Sequence, residues 1–317
     1  MSATVERAEW LDWRRKGIGA SDVAAILGIS PWSSPWSVWA EKVGLLEGDD
    51  ESEAMEFGRW AELMVAPWFE ERSGLKVAGA QTQVEHAAAP WKRCTVDGFV
   101  VESDVAALDL YLEAPGVLVR PSDVPGVLGL CQIKTTGPGR RWEELPAHIQ
   151  AQEQWEMHVT GLDHVWLPVL HGRRLEVYEL DRDQADIDLI VERVEAFYRG
   201  HVLTGVPPEL DGHDATLRAL ASIYPTHTPG EAVAIDHVRG ALTMLAEAKR
   251  ERKAAEEEEA AAGALIRWAL KDAEEGTVDG QRAVTLRAQT RTTKCPHCQH
   301  EETSDPFRVL RPAKGFT

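Results

Sequence analysis

A chain of 317 residues with 44% hydrophobic content can build one large domain, or a domain with an appendage, and wholesale disorder is excluded. Its net charge of −18 excludes a general nucleic-acid coat protein, because phosphate binding rests on Lys and Arg. Four cysteines are too few for a secreted disulfide framework, and neither a signal peptide nor a bilayer-length apolar run is present, so a cytoplasmic protein with no membrane partner is expected.

In chain order, SDVAAILG at 21–28 predicts a short helix with Ser21 as N-cap, Asp22 in its first turn and Gly28 beyond its end. Residues 34–44 repeat that grammar, with Ser34 before Pro35 and Gly44 as the stop. A longer helix over 54–73 carries Met55, Trp60, Met64 and Trp68 at helical spacing, interrupted by Pro67 and ended by Gly74. From 76 to 135 the pattern changes to short extended runs separated by Pro, Gly and Asp. A helix follows over 145–159, then a hairpin turning near His171-Gly172, then a helix over 183–203. Residues 205–230, rich in Pro, Gly, Thr and His, read as a connecting loop. A long run of strong helix formers and a hairpin at Asp279-Gly280 complete the chain. The expected organisation is an α/β core over 1–204, the loop, and a helical and hairpin arm over 231–317.

Much of the acid sits in two runs, around 48–56 and at 256–259, that read as solvated faces. Basic clusters persist at Arg14-Arg15-Lys16, Arg140-Arg141 and Arg173-Arg174, so a local basic groove on an acidic body is compatible with the composition. Of the twelve tryptophans, Trp36, Trp39, Trp60 and Trp68 fall at apolar helical positions, which favours core packing over base stacking.

The chemistry concentrates in VLGLCQIKTT. Alternation on a strand points Leu128, Leu130, Gln132 and Lys134 one way and Val127, Gly129, Cys131 and Ile133 the other. Two polar side chains on an otherwise buried strand are costly without partners. Upstream, Asp97 interrupts the apolar run RCTVDGFVV. An acid, an oxygen ligand and a Lys two residues on form a layout that can hold Mg²⁺ beside a phosphate. Asp97 would supply a carboxylate, Gln132 an amide oxygen and Ile133 its carbonyl, while Lys134 orients or helps deprotonate the attacking water.

These residues resemble the PD-(D/E)XK nuclease superfamily, and their surroundings resemble its YqaJ and phage lambda-type exonuclease family. WLDWRRKGIGASDVAAILGISPW is similar to the family's phosphate-binding motif, which maps onto Arg14 and Ser21, with Arg15 as the local competitor. MEFGRWAELMVAPWFEERSGL resembles its helix with an auxiliary acid, mapping onto Glu62, and LPAHIQAQEQWEMHVTGLDHVW its glutamine helix, mapping onto Gln152 between Gln150 and Gln154. The resemblance covers about residues 10–200 and implies a mixed central sheet flanked by helices, with a long C-terminal helix and hairpin. It further implies one or two Mg²⁺ or Mn²⁺ ions and 5′-to-3′ digestion of double-stranded DNA ends in phage-type recombination. A homo-oligomeric ring, a single-strand annealing protein as partner and a bacterial host cell are implied in the same way. The family carries Glu where this chain has Gln132, which opens two alternatives, an endonuclease of the same fold and a weakened DNA-binding relative. Cys295 and Cys298 in TKCPHCQHEE form a lone pair with too few neighbours for a four-ligand zinc site, so a reduced thiol pair is the expectation.

Overall fold

The computed structural model describes residues 3–46, 52–102, 120–137, 140–294 and 301–313. Cys295 and Cys298 lie outside them, as does most of the excursion between Asp97 and Gln132. The chain divides into two compact units, residues 1–227 and 228–317.

The first unit opens with helices α1 (Ala3–Arg15), α2 (Ala20–Ile26), α3 (Pro35–Lys42) and α4 (Glu53–Ser73). Ser34 caps α3 by accepting from the Ser37 N–H at 3.1 Å, with Pro35 in the first turn, and Gly44 follows the helix with a φ of 79°. Gly74 closes α4 in the left-handed region, where an L side chain would be strained. At α2 the expected cap is displaced by two residues. The N-cap is Gly19, whose N–H donates to Asp22 Oδ2 at 2.9 Å, and Ser21 lies inside the helix. Asp22 reaches back to the turn and leaves the serine no N–H to cap.

Eight strands follow: β1 (Lys76–Ala78), β2 (Thr82–His86), β3 (Ala89–Val96), β4 (Gly98–Val101), β5 (Val127–Cys131), β6 (Lys134–Thr136), β7 (His164–His171) and β8 (Arg174–Asp181). Between β6 and β7 runs α5 (Ala147–Thr160), and after β8 come α6 (Gln184–Phe197) and α7 (Asp214–Ile223). The main sheet has six strands in the order β1-β4-β5-β7-β6, with β8 on the other edge of β7. Strands β1, β4 and β5 are antiparallel, whereas β5 and β6 both run parallel to β7. A parallel return needs a crossover, and α5 supplies it. This is a mixed α/β fold with a central mixed sheet flanked by helices. Strands β2 and β3 form a separate hairpin.

Alternation sorts the sheet into two cores. Phe99, Val101, Leu130, Val165 and Leu167 pack with Trp155 and Met157 of α5, with α2, α3 and α6 around them. Val100, Cys131, Ile133 and Leu170 face Ala61, Val65 and Phe69 of α4. Complete burial of a side chain such as Phe69 contributes about 1.5–3 kcal/mol. Trp36 and Trp39 are core residues as expected, but Trp60 is 63% exposed, because the apolar stripe of α4 runs through Ala61, Val65 and Phe69 instead.

One strand is broken where it matters. The register that pairs Cys131 with Trp166 and Lys134 with Val169 puts Pro168 beside Ile133. Proline has no N–H to give the ladder, and β5 and β6 are separated at Gln132 and Ile133. The segment read as a connecting loop differs from expectation by containing α7. Thr216 Oγ1 lies 2.7 Å from Ser34 Oγ, and Ala215 and Ala219 are buried, so tertiary contact makes up for modest local propensity.

The second unit has a 32-residue helix, α8 (Arg239–Leu270), and strands β9 (Glu275–Val278), β10 (Gln281–Gln289), β11 (Thr292–Lys294), β12 (Glu301–Thr303) and β13 (Phe307–Pro312). Its hairpin turns at Asp279-Gly280, both at positive φ, as that dipeptide predicts. Among the described residues, no helix is long and apolar enough to cross a membrane.

Candidate active site

Asp97 occupies the joint between β3 and β4, which pair in different sheets, and its position is fixed by a reciprocal clasp with the break after β5. The Asp97 N–H donates to Gln132 Oε1 at 3.0 Å, and the Ile133 N–H donates to Asp97 Oδ2 at 2.8 Å. With β5 interrupted, Ile133 can turn its N–H to the carboxylate. The backbone of each partner is thus held by the side chain or backbone of the other, which is a rigid way to bring two distant segments together.

The other Asp97 oxygen accepts from Gln81 Nε2 at 3.2 Å, and the same nitrogen donates to Glu62 Oε2 at 2.6 Å. Glu62 on α4 and Asp97 therefore converge on one donor. Burial and the charge of Asp97 push Glu62 up to about 7, and burial also raises Asp97 against the pull of Lys134. Two carboxylates that raise each other in this way offer hard oxygens to a cation.

Lys134 leaves the break toward α5. Its Nζ lies 3.5 Å from Glu153 Oε1, and its side chain keeps 18% of its exposure. Burial alone would lower its pKa, but Glu153, Asp97 and Glu156 outweigh burial and raise it, so the group stays an ammonium. Glu153 and Glu156 are completely buried. Burial raises both, and each raises further through nearby negative charge, with Lys134 opposing. Glu156 accepts from Gln132 Nε2 through one oxygen and from Gln152 Nε2 at 3.0 Å through the other.

Of the three glutamines on α5, only Gln152 faces this cluster. Gln150 donates to the Leu145 carbonyl and Gln154 to that of Asp181. Gln132 is 1% exposed, and its amide oxygen is turned to the Asp97 N–H rather than outward. Sequence reasoning missed Gln81, Glu153 and Glu156. The two glutamates carried a signal, since acids beside Trp155 and Met157 on a buried helix raise the same question as Gln132 and Lys134 on a buried strand. Gln81 carried none, because its role depends on where the turn before β2 falls.

Arg14 and Ser21 stand elsewhere, in a cleft of about 400 Å³ also lined by Ser30, Trp32, Ser33 and Arg218; Asp97, Lys134 and Glu62 are not among its lining residues. Arg14 Nη2 lies 3.2 Å from Asp22 Oδ1 and its Nε 3.5 Å from Glu41 Oε1. Asp22 is itself buried against Lys42 Nζ at 2.6 Å. Burial would raise Asp22, but the two cations hold it below its ordinary range. This network positions the guanidinium at the cleft, and Ser21 is exposed there.

Among the described residues, no group of three or more His, Cys, Asp or Glu side chains is gathered as for a metal ion. Mg²⁺ commonly takes one or two carboxylates and completes its octahedron with water and substrate phosphate. The Asp97 and Glu62 pair fits that pattern.

Residues 9–163 match the model of the YqaJ-like viral recombinase domain. The uncharacterized protein YqaJ of Bacillus subtilis (strain 168) is 31% identical over 231 residues, a match covering 70% of this chain. The chain spans 65% of that relative's length. Among solved structures, the alkaline exonuclease LHK-Exo of Laribacter hongkongensis in complex with dAMP aligns at a TM-score of 0.47 with 18% identity, covering 63% of this chain and 94% of the other. A phage-related exonuclease from Haemophilus somnus 129PT aligns at 0.39 with 13% identity, covering 59% and 94%. The segment that carries Arg14, Ser21, Glu62, Asp97, Gln132, Lys134 and Gln152 belongs to the YqaJ-like viral recombinase domain family.

Proposed function

We propose that the chain is a divalent-metal-dependent nuclease that digests double-stranded DNA from its ends, with 5′-to-3′ polarity, in phage-type recombination. The observation that supports this most directly is the clasp between Asp97 and the Gln132–Ile133 break, which brings an acid and the ammonium of Lys134 to one place. In this reading Asp97 and Glu62 hold Mg²⁺ or Mn²⁺, with the Ile133 carbonyl as a further oxygen. Gln132 serves as a positioning residue, since its oxygen is occupied by a backbone N–H. When bound, the ion supplies Lewis-acid stabilisation of the phosphate and lowers the pKa of a ligating water. Lys134, fixed as an ammonium, orients that water and offsets charge growing on the phosphate oxygens. It does not act as a base at neutral pH. Arg14 and Ser21 grip a terminal phosphate in their cleft, and Arg218 adds a second cation to the same wall. Assembly into a ring around the duplex, and action beside a single-strand annealing protein in the host cell, belong to this proposal through the family resemblance.

The test is digestion of linear duplex with and without a 5′ phosphate, in Mg²⁺ and in chelator, beside a covalently closed circle. Faster loss of the phosphorylated linear substrate, abolished by chelator, is expected. Nicking of the circle would replace this reading with an endonuclease, and no digestion of any substrate would remove it.

A further inference from the structure

We infer that α5 supplies the acidic wall of the candidate site through Glu153 and Glu156, and that position 132 is an amide because Glu156 faces it. The inference deepens the nuclease reading and rests on it for its catalytic half only.

Gln132 performs two opposite tasks in a space closed to solvent. Its oxygen accepts from the Asp97 N–H at 3.0 Å, and its nitrogen donates to a Glu156 oxygen. An amide has an acceptor at one corner and donors at the other, whereas an ionised carboxylate only accepts. A carboxylate at 132 would meet the Glu156 carboxylate with lone pairs on both sides, and both groups are buried. The residue on the strand and the residue on the helix are therefore a matched pair, donor to acceptor.

Glu153 provides the second, separate observation. It is 0% exposed, neither of its oxygens has a hydrogen-bond donor among the described residues, and the nearest cation is Lys134 at 3.5 Å. A hydrophobic side chain of similar volume would fill this space without the cost of desolvating a charge. A carboxylate kept there is explained by what it does to its neighbours. Glu153 holds the Lys134 ammonium, and Glu156 holds Gln132 and, through it, the Asp97 backbone. Four carboxylates (Glu62, Asp97, Glu153, Glu156) then surround a single ammonium, and the surplus of negative charge suits a divalent cation. The helix acids act through Lys134 and Gln132, so they are positioning residues and not ligands.

The experiment compares the full chain with Glu156→Gln, Glu153→Gln, Gln132→Glu and the exchange Gln132→Glu/Glu156→Gln. The readouts are melting temperature in chelator, Mn²⁺ affinity by titration calorimetry, and digestion of linear duplex. Glu156→Gln removes a buried charge and keeps the fold, so an unchanged or higher melting temperature with about tenfold weaker Mn²⁺ binding is expected; Glu153→Gln should behave alike. Gln132→Glu alone should lower the melting temperature by about 5 °C or more and slow digestion. The exchange restores one donor against one acceptor, with the helix amide still accepting from Gln152, and should recover most of both losses.

Three outcomes overturn the inference: Mn²⁺ affinity unaltered in both helix variants, melting shifts that simply add in the exchange, or Gln132→Glu digesting faster at an unchanged melting temperature. Failure of the unaltered chain to digest any DNA would instead defeat the nuclease reading, since melting temperatures and Mn²⁺ titration still report on the pair.

Discussion

Lys134 is the only ammonium among the carboxylates described at the candidate site, and those carboxylates keep it protonated. Lys134→Ala should cut the digestion rate at least about 100-fold, measured as single-turnover loss of linear duplex. The acids themselves make a second expectation at this scale. Glu62, Asp97, Glu153 and Glu156 all have folded pKa values above their ordinary ones, with Glu62 at about 7. The folded chain therefore holds protons that the unfolded chain releases, and stability is lost as pH climbs from the ordinary carboxylate range through the folded values. In chelator, the melting temperature should fall between pH 5 and 7.5, estimated from those ordinary and raised values. Mg²⁺ should flatten that fall, because a bound cation replaces the protons. A melting temperature that rises over the same window would contradict the charge crowding described for the site.

At the scale of elements, close approach and docking determine whether the site forms. A Cβ added at Gly129 in β5 would stand 2.5 Å from the backbone oxygen of His164, so β7 would have to move away from the strand that leads to Gln132. Gly129→Ala should cost about 2–3 kcal/mol in urea unfolding and disturb the clasp along with the ladder. Helix α7 depends on a different kind of contact. Thr216 is fully buried and joins Ser34 at 2.7 Å and Asp211 at 2.5 Å. Thr216→Val retains the shape and removes the hydroxyl, so a loss of about 1–2 kcal/mol is expected, read in the same unfolding experiment. Because α7 carries Arg218, the variant should also weaken any preference for a 5′-phosphorylated end.

For the whole molecule, both hydrophobic cores and every candidate residue at the two clefts fall within residues 1–227. A fragment of those residues should give a single cooperative thermal transition by circular dichroism; a broad, non-cooperative melt would show that this unit depends on the rest of the chain. By itself the sequence determined the local grammar: Ser34-Pro35 and Gly74 as helix ends, Asp279-Gly280 as a hairpin, and the alternation that turns Gln132 and Lys134 to one face and Cys131 and Ile133 to the other. It also determined the order of the motif blocks, from Arg14 and Ser21 through Glu62 and Asp97 to Gln152. Tertiary structure decided the rest. Glu156 opposite Gln132, Ile133 turned to Asp97, Gln152 chosen over its neighbours, Gln81 between two acids, and a helix inside an apparent linker all depend on partners elsewhere in the chain. Periodicity shows which side of an element is buried, because that is a property of spacing along one segment. What lies across from it is set by packing between segments, and hydrogen-bond partners there are selected by position in space.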